Sequence, residues 1–113
     1  MKPVKWLGTS KKDVKAFDPD ARRMAGFELG LVQQGLDPTD WKPMPTVALG
    51  VREIRIHTRV ESRVLYVAKF ADAIYVLHAF VKKTEKTDPR DINIAKSRMA
   101  TLIEERRMEG DAK

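Results

Sequence analysis

Residues 50–98 read GVREIRIHTRVESRVLYVAKFADAIYVLHAFVKKTEKTDPRDINIAKSR, and they contain the strongest strand and helix signals of the chain. Three of its segments are rich in β-branched, aliphatic and aromatic residues, which predicts β-strands over residues 51–58, 63–70 and 74–81. The connections between these segments are short, so we expect the strands to pair as an antiparallel sheet.

The chain on either side of the three strands supplies helices. Asp88-Pro89, followed by Asp91, is typical of a helix start and predicts a helix that ends near Arg107. On the N-terminal side, Asp18-Pro19 gives the same start signal, and Gly35 is a natural helix stop. We therefore expect one of these helices before the three strands and the other after them.

The first 34 residues predict one more strand and one more helix. Residues 2–7 alternate weakly between apolar and polar side chains, as an edge strand does, and residues 10–13 (SKKD) match a capping box that would start a short helix. In the helix that follows Pro19, the apolar residues Met24, Phe27 and Leu31 recur at helical spacing, and Leu29 and Val32 widen the same face. This spacing predicts that they form the buried face of that helix.

The predicted order of strand, helix, helix, three strands and helix indicates a single α+β domain over residues 1–113. We expect a small antiparallel sheet with the N-terminal helices and the C-terminal helix packed on one face. Three prolines make residues 36–49 a loop. The other sheet face would stay open for polar chemistry, and Arg55 and His57 share the parity that we assign to it.

The chain is basic and contains no cysteine. Lys and Arg total 22 against 16 Asp and Glu, so the net charge is +6 and the pI is near 9.7. Such a charge favours an acidic partner, most simply nucleic acid, although it also serves solubility alone. Without cysteine, disulfides and thiolate metal sites are excluded. We expect a cytoplasmic protein with no membrane segment, no metal and no cofactor.

Metal-independent RNA cleavage requires cations near the phosphate, a proton acceptor and a proton donor. Arginine suits the phosphate because its planar fork bonds two oxygens at once. Four basic residues lie at or next to predicted strand positions that converge on one face, and they are our candidates for catalysis: Arg55, Arg63, Lys82 and Lys83. The alternative is a solvated strand face and a solvated turn.

The proton-transfer group is less well defined by the sequence. His78 is a candidate because histidine titrates near neutrality, and His57 is the other histidine of the chain. A lysine with a displaced pKa is a further possibility, and positioning with charge stabilisation is another. Phe80 precedes Lys82 by two residues, so it is placed to stack on a nucleobase, and Lys86 adds charge to the turn.

Several motifs resemble the phage-derived, HigB-like branch of the RelE/ParE superfamily of toxins. The matching segments are Lys42-Pro43, residues 50–55 (GVREIR), residues 63–66 (RVLY), residues 77–84 (LHAFVKKT), residues 89–98, residues 10–13 and Gln34-Gly35. The Lys-Lys-Thr segment after a strand that ends in Phe is the most specific of these.

This resemblance implies a RelE-like fold and an endoribonuclease that cleaves mRNA, commonly in the ribosomal A site, by attack of the 2′-hydroxyl on the adjacent phosphate. It also implies a cognate antitoxin, usually of helix-turn-helix type. By residue match, Lys42 and Thr84 would assist the basic site, and we add Arg52, next to the Glu-x-Arg motif, to the RNA-binding residues.

Two hypotheses therefore stand. The first is a toxin of a type II toxin–antitoxin pair that cleaves mRNA on the ribosome. The second is a non-catalytic RNA- or ribosome-binding module, or an inactive toxin relic that acts through its antitoxin complex.

Overall fold

The computed structural model describes residues 1–111, which form five strands and three helices. The strands are β1 (Val4–Trp6), β2 (Trp41–Pro43), β3 (Val51–His57), β4 (Glu61–Val67) and β5 (Ile74–Lys82). The helices are α1 (Ser10–Lys15), α2 (Pro19–Gln33) and α3 (Pro89–Asp111). The predicted α+β class and the edge position of β1 are confirmed, and the predicted element order is confirmed except for β2, which was not expected.

The five strands form one mixed sheet in the order β1-β5-β4-β3-β2. The neighbours from β5 to β2 pair antiparallel, as expected, whereas β1 pairs parallel to β5. The expectation of a purely antiparallel sheet is corrected at this edge. A hairpin cannot join two strands that are so far apart in sequence, so their relative direction is not set by a turn.

The helices pack on both faces of the sheet, which corrects the expectation that they share one face. Val64 and Tyr66 of β4 belong to the cluster formed with α1 and α2, whereas Leu65 and Val67 belong to the cluster formed with α3. Neighbouring residues of a strand point to opposite faces, so α3 covers the face opposite α1 and α2. The physical reason is that β4 is apolar at both parities and therefore requires cover on both sides.

Helix α2 buries Leu29 and Val32 of the predicted apolar face but leaves Met24 and Phe27 exposed. Its buried apolar residues are Ala21, Ala25, Leu29 and Val32, whereas Phe27 is 63% exposed. Alanine lets the helix approach the sheet closely, so small side chains replace the larger ones at the contact. The start of α2 is as predicted, since the Asp18 carboxylate accepts a hydrogen bond from the Ala21 amide at 2.9 Å.

Three boundaries also differ. The cap of α1 is Thr9, and Ser10 is buried, with its hydroxyl donating to the Val76 carbonyl at 3.2 Å. The predicted loop contains β2, whose Lys42 lies opposite Glu53 of β3. Helix α3 continues to Asp111, beyond the predicted end, and residues 112–113 lie outside the described part of the chain.

A bulge in β5 controls which side chains face α3. Leu65 lies opposite His78, but the next β4 residue, Tyr66, lies opposite Val76. Leu77 is therefore the extra residue, and Leu77 and His78 both lie on the α3 side of the sheet. Beyond the bulge the alternation is shifted by one residue, which brings Phe80 and Lys82 to the α3 side.

Candidate active site

Helix α3 covers only part of its sheet face. The uncovered part carries two rows of directly opposed residues, Arg55–Arg63–Phe80 and His57–Glu61–Lys82. Lys42 extends it on β2, beside Glu53. We call this surface the basic face, and it comprises Lys42, Arg55, His57, Glu61, Arg63, Phe80 and Lys82. Three of the predicted catalytic residues, Arg55, Arg63 and Lys82, thus share one face.

Arg55 is held by a carboxylate from the segment before β2. Its Nε and Nη2 atoms lie 2.9 and 2.8 Å from Asp40 Oδ1. The Arg55 amide also donates to the Asp40 carbonyl at 2.8 Å, so backbone and side chain are both tied to Asp40. The guanidinium is partly exposed, and its orientation is fixed at the surface.

His57 lies between two carboxylates. Its Nε2 is 2.6 Å from Asp40 Oδ2, and its Nδ1 is 2.8 Å from Glu61 Oε1. Half of the side chain is exposed, at 51%. Hydrogen bonds to Asp40, first, and to Glu61 raise the pKa of His57 above its usual value. The ring is therefore poised to carry a proton on each nitrogen.

The pKa values of the two carboxylates, Asp40 and Glu61, shift in the opposite direction to that of His57. The hydrogen bond from His57, with Arg55 contributing, lowers the pKa of Asp40. Desolvation raises the pKa of Glu61, but the hydrogen bonds from His57 and Arg63 outweigh it, and the net pKa is lowered. Both carboxylates are accordingly ionised at neutral pH.

Arg63 lies beneath this surface and is only 5% exposed. It donates from Nη2 to Glu61 Oε1 at 3.1 Å and from Nη1 to the Ser62 carbonyl at 3.0 Å. Its Nε lies 3.6 Å from Glu53 Oε1, and Lys42 Nζ lies 3.8 Å from the same oxygen. Within residues 1–111, neither oxygen of the fully buried Glu53 accepts a hydrogen bond. Arg63 therefore supports the face from below.

His78 sits at the border between the basic face and α3. It is 6% exposed, and its Nε2 lies 2.8 Å from Asp91 Oδ1 in the first turn of α3. Its ring stacks on Phe80 with centroids 5.2 Å apart, and Arg98 Nη1 lies 3.5 Å from its Nδ1. These contacts orient Phe80 and join β5 to α3.

The elbow after β5 adds the remaining predicted basic residues. Lys83, Thr84 and Lys86 are exposed there. Phe80, Lys82, Lys83 and Thr84, together with the first turn of α3, line a cleft of about 280 Å³. The cleft adjoins the basic face at Phe80 and Lys82.

Arg52 lies on the opposite face of the sheet. It stacks on Trp41 at 4.0 Å and donates to Asp37 Oδ1 at 2.8 Å, and it lines a separate cleft of about 360 Å³ beside Tyr66. The alternation along β3 accounts for this, because Arg52 precedes Glu53 and so points away from it. The structure thus separates Arg52 from the other predicted RNA-binding residues.

Two residues of the site were missed by the sequence analysis, Asp40 and Glu61. Glu61 begins β4 rather than lying in a turn, and the turn at 58–60 places it opposite His57. Hairpin spacing was a usable signal for that pair. Asp40 reaches Arg55 through the pairing of β2 with β3, and no short-range pattern indicated that pairing.

Within residues 1–111, no group of three or more His, Asp or Glu side chains is arranged to hold a metal ion. None of the helices in the described residues has the length and apolar character that a bilayer crossing requires.

Comparison with known proteins places the chain in a family. The family described as phage derived protein Gp49-like (DUF891) matches residues 12–100, which is most of the chain and includes every residue of the basic face. No curated protein sequence matches the chain. The chain therefore belongs to the phage-derived Gp49-like family, a family of RelE/ParE-like toxins of toxin–antitoxin systems.

Proposed function

We propose that this protein is the toxin of a type II toxin–antitoxin pair, of the HigB-like branch, and that it cleaves mRNA through its basic face. The observation that supports this is the grouping of Lys42, Arg55, Arg63 and Lys82, with His57, on a sheet face that α3 leaves open. Such a surface provides the cations that a cleaved phosphate requires.

The opposition of two arginines is the most informative detail. Arg55 and Arg63 lie directly across from each other on adjacent strands. Like charges in this position destabilise a sheet, and Asp40, Glu53 and Glu61 offset the repulsion. In this proposal, a phosphate that binds here supplies part of the negative charge that these carboxylates otherwise provide. Arg55 is the accessible clamp, while Arg63 adds positive potential from beneath.

The neighbouring residues fit an RNA strand that crosses this face. Lys82 is partly exposed beside Glu61, and Lys83 and Lys86 extend the positive charge along the elbow. Phe80 offers an aromatic ring held by His78, which suits stacking of a base. In this proposal the substrate is mRNA in the ribosomal A site, and cleavage uses the 2′-hydroxyl as nucleophile.

The proposal extends to partner and location. A cognate antitoxin, of helix-turn-helix type, neutralises the toxin, and both proteins act in the cytoplasm. An acidic antitoxin segment on the basic face would block substrate by occupying Arg55 and Lys82.

The test is induced expression with mapping of mRNA 5′ ends. Wild type is compared with Arg55→Ala/Lys82→Ala, and the matched control is Lys96→Ala/Arg107→Ala, which removes the same residue types from exposed positions of α3. We expect new in-frame cuts with wild type and with the control. The site variant should lose at least 100-fold of cleavage, because transition-state charge is no longer stabilised.

Two results would contradict the proposal. Equal cleavage by the site variant and the control would remove the basic face from the mechanism. Growth arrest or ribosome binding without any cut by wild type would instead favour a binding module that acts by occupancy. Salt-dependent RNA affinity alone fits both functions, since it reports only the cations.

A further inference from the structure

The chain has two histidines, and the structure gives them different surroundings. His78 is buried, paired with Asp91 and stacked on Phe80. His57 is half exposed on the basic face, in the row adjacent to the Arg55–Arg63 pair. A group that gives a proton to a departing oxygen has to reach solvent-accessible substrate, and only His57 satisfies that requirement.

We propose that His57 is the general acid of RNA cleavage, that Asp40 is its positioning residue and that Glu61 accepts the proton of the 2′-hydroxyl. This inference rests on the proposed function. It assigns the proton-transfer groups that the basic residues alone leave open.

The two ring nitrogens of His57 have different partners, which suits different roles in catalysis. Glu61 binds Nδ1 at 2.8 Å, and Asp40 binds Nε2 at 2.6 Å. The nitrogens point to different sides of the ring, so the Nε2 proton and the Glu61 carboxylate lie on opposite sides of the half-exposed imidazole, and a phosphate laid along the ring would meet the acid at one end and the base at the other. In-line attack requires that arrangement, because the attacking and leaving oxygens are on opposite sides of phosphorus.

The chemical step balances with these groups. The 2′-oxygen forms a bond to phosphorus while the bond from phosphorus to the 5′-oxygen breaks, which leaves a 2′,3′-cyclic phosphate. The electron pair of the broken bond stays on the 5′-oxygen, which takes the Nε2 proton of His57 in place of Asp40. The 2′-hydroxyl proton passes to Glu61. Exchange with solvent then restores protonated His57 and ionised Glu61.

The charges around His57 favour the acid form. Asp40 and Glu61 face its two nitrogens, and both are ionised. Arg55 binds the other oxygen of Asp40, and Arg63 shares Glu61 Oε1 with His57. Lys82 lies opposite Glu61 on β5. The carboxylates are closest to the ring and raise the pKa of His57. The imidazolium is thus available near neutral pH, where a general acid is effective.

The deciding experiment uses ribosome-bound mRNA with a sulfur in place of the 5′-bridging oxygen at the mapped cleavage site, beside the same RNA with oxygen. A thiolate leaves without protonation, so cleavage of the sulfur linkage does not need a general acid. His57→Gln should slow cleavage of the oxygen linkage by about 100-fold or more and leave cleavage of the sulfur linkage within a few-fold of wild type. Arg55→Ala should slow both.

Equal loss on both linkages with His57→Gln would overturn the assignment, because it would show that His57 only maintains the structure. If wild type cleaves neither linkage, the proposed function itself fails, which is a distinct result.

A second readout is the pH profile. Asp40→Asn should move the alkaline limb of the rate to lower pH while the rate at about pH 6 changes little, and an unmoved limb would exclude the positioning role of Asp40.

Discussion

The sheet face that α3 partly covers has two halves with opposite chemistry. Under α3, Leu65, Val67 and Leu77 pack with Met99 and Leu102 in an apolar cluster. Beyond α3, strands β3, β4 and β5 carry Arg55, His57, Arg63 and Lys82, and Glu53 is a buried carboxylate that accepts no hydrogen bond from the described residues 1–111. One half thus stabilises the fold through burial, while the other keeps unfavourable charge contacts where a ligand can reach them.

Contacts between α3 and β5 set the boundary between the two halves. Asp91 and Arg98 of α3 contact His78 and the Leu77 carbonyl, which fixes where the cover ends. Beyond that line Arg55, His57 and Lys82 reach solvent, whereas Arg63 and Glu53 of the same sheet stay buried. Substitutions in the covered half should therefore change mainly stability, and substitutions in the uncovered half mainly activity. The buried charges of the uncovered half are the exception, because they should affect stability as well.

The largest effect is expected from the buried charge pair. Arg63→Leu leaves Glu53 without its nearest cation and should lower the free energy of unfolding by about 3–5 kcal/mol. Glu53→Leu/Arg63→Leu removes both charges and should recover more than half of that loss, although activity stays absent. Urea unfolding of wild type, the two single variants and the double variant measures the coupling. An additive double variant would show that the pair does not interact.

In the covered half, a large-to-small substitution should reduce stability by a similar or smaller amount. Leu65→Ala removes a fully buried side chain between β4 and α3 and should cost about 2–5 kcal/mol. Val81→Ala, at a partly exposed position of β5, is the control and should cost roughly 0.5 kcal/mol. Comparable losses for both variants in urea unfolding would refute the contrast in burial.

The contact between Arg98 of α3 and the Leu77 carbonyl, which helps to set the boundary, can be tested through Gly8. Gly8 has φ +53°, and a Cβ there would meet the Arg98 guanidinium at 2.4 Å. Gly8→Ala should therefore destabilise by about 1–3 kcal/mol and displace Arg98 from Leu77. Gly26→Ala, in α2 with open space around it, should stabilise by roughly 0.5–1 kcal/mol. Thermal unfolding of the two variants would settle the sign, and equal shifts would contradict the assigned contact.

The smallest effect concerns pH in the uncovered half. The folded-state pKa of His57 is raised, so its stabilising contribution is present below about pH 6.5 and is lost as pH rises through the folded value. The lowered pKa values of Asp40 and Glu61 add stability that is lost as pH falls below about 4. The Tm deficit of His57→Gln should be greatest near pH 5.5 and should vanish near pH 9. Because these groups are exposed, we expect less than about 1 kcal/mol.

Much of the fold was predictable from local patterns. The Asp-Pro starts of α2 and α3 and the three central strands were identified because capping and hydrophobic alternation act over a few residues. The buried face of α2 was predicted only at Leu29 and Val32, since a pattern of large apolar residues does not reveal that Ala21 and Ala25 are fully buried. Helices pack on both sheet faces because the central strands carry apolar side chains on both sides. That pattern is visible in the sequence, but the prediction did not use it.

The site was predictable in part for the same reason. Arg55 and Arg63 were placed on strands correctly and Lys82 directly after one, and pairing of neighbouring strands then brings them together. Arg52 was grouped with them although its parity sends it to the other face. The pairing of β2 with β3 depends on long-range contacts, so Asp40 could not be assigned to Arg55 and His57 from local sequence.

The bulge at Leu77 makes the last third of β5 depend on residue count as well as residue identity. Strict alternation through β5 with Leu77 in place would turn Phe80 and Lys82 toward α1 and α2, and Ala79 and Val81 toward the site. Deleting Leu77 would instead remove the bulge and leave Phe80 and Lys82 on the α3 side, because His78 would then follow Val76 directly. A frame-preserving loss of that one codon should therefore cost the packing of one apolar side chain and leave the charged surface in place.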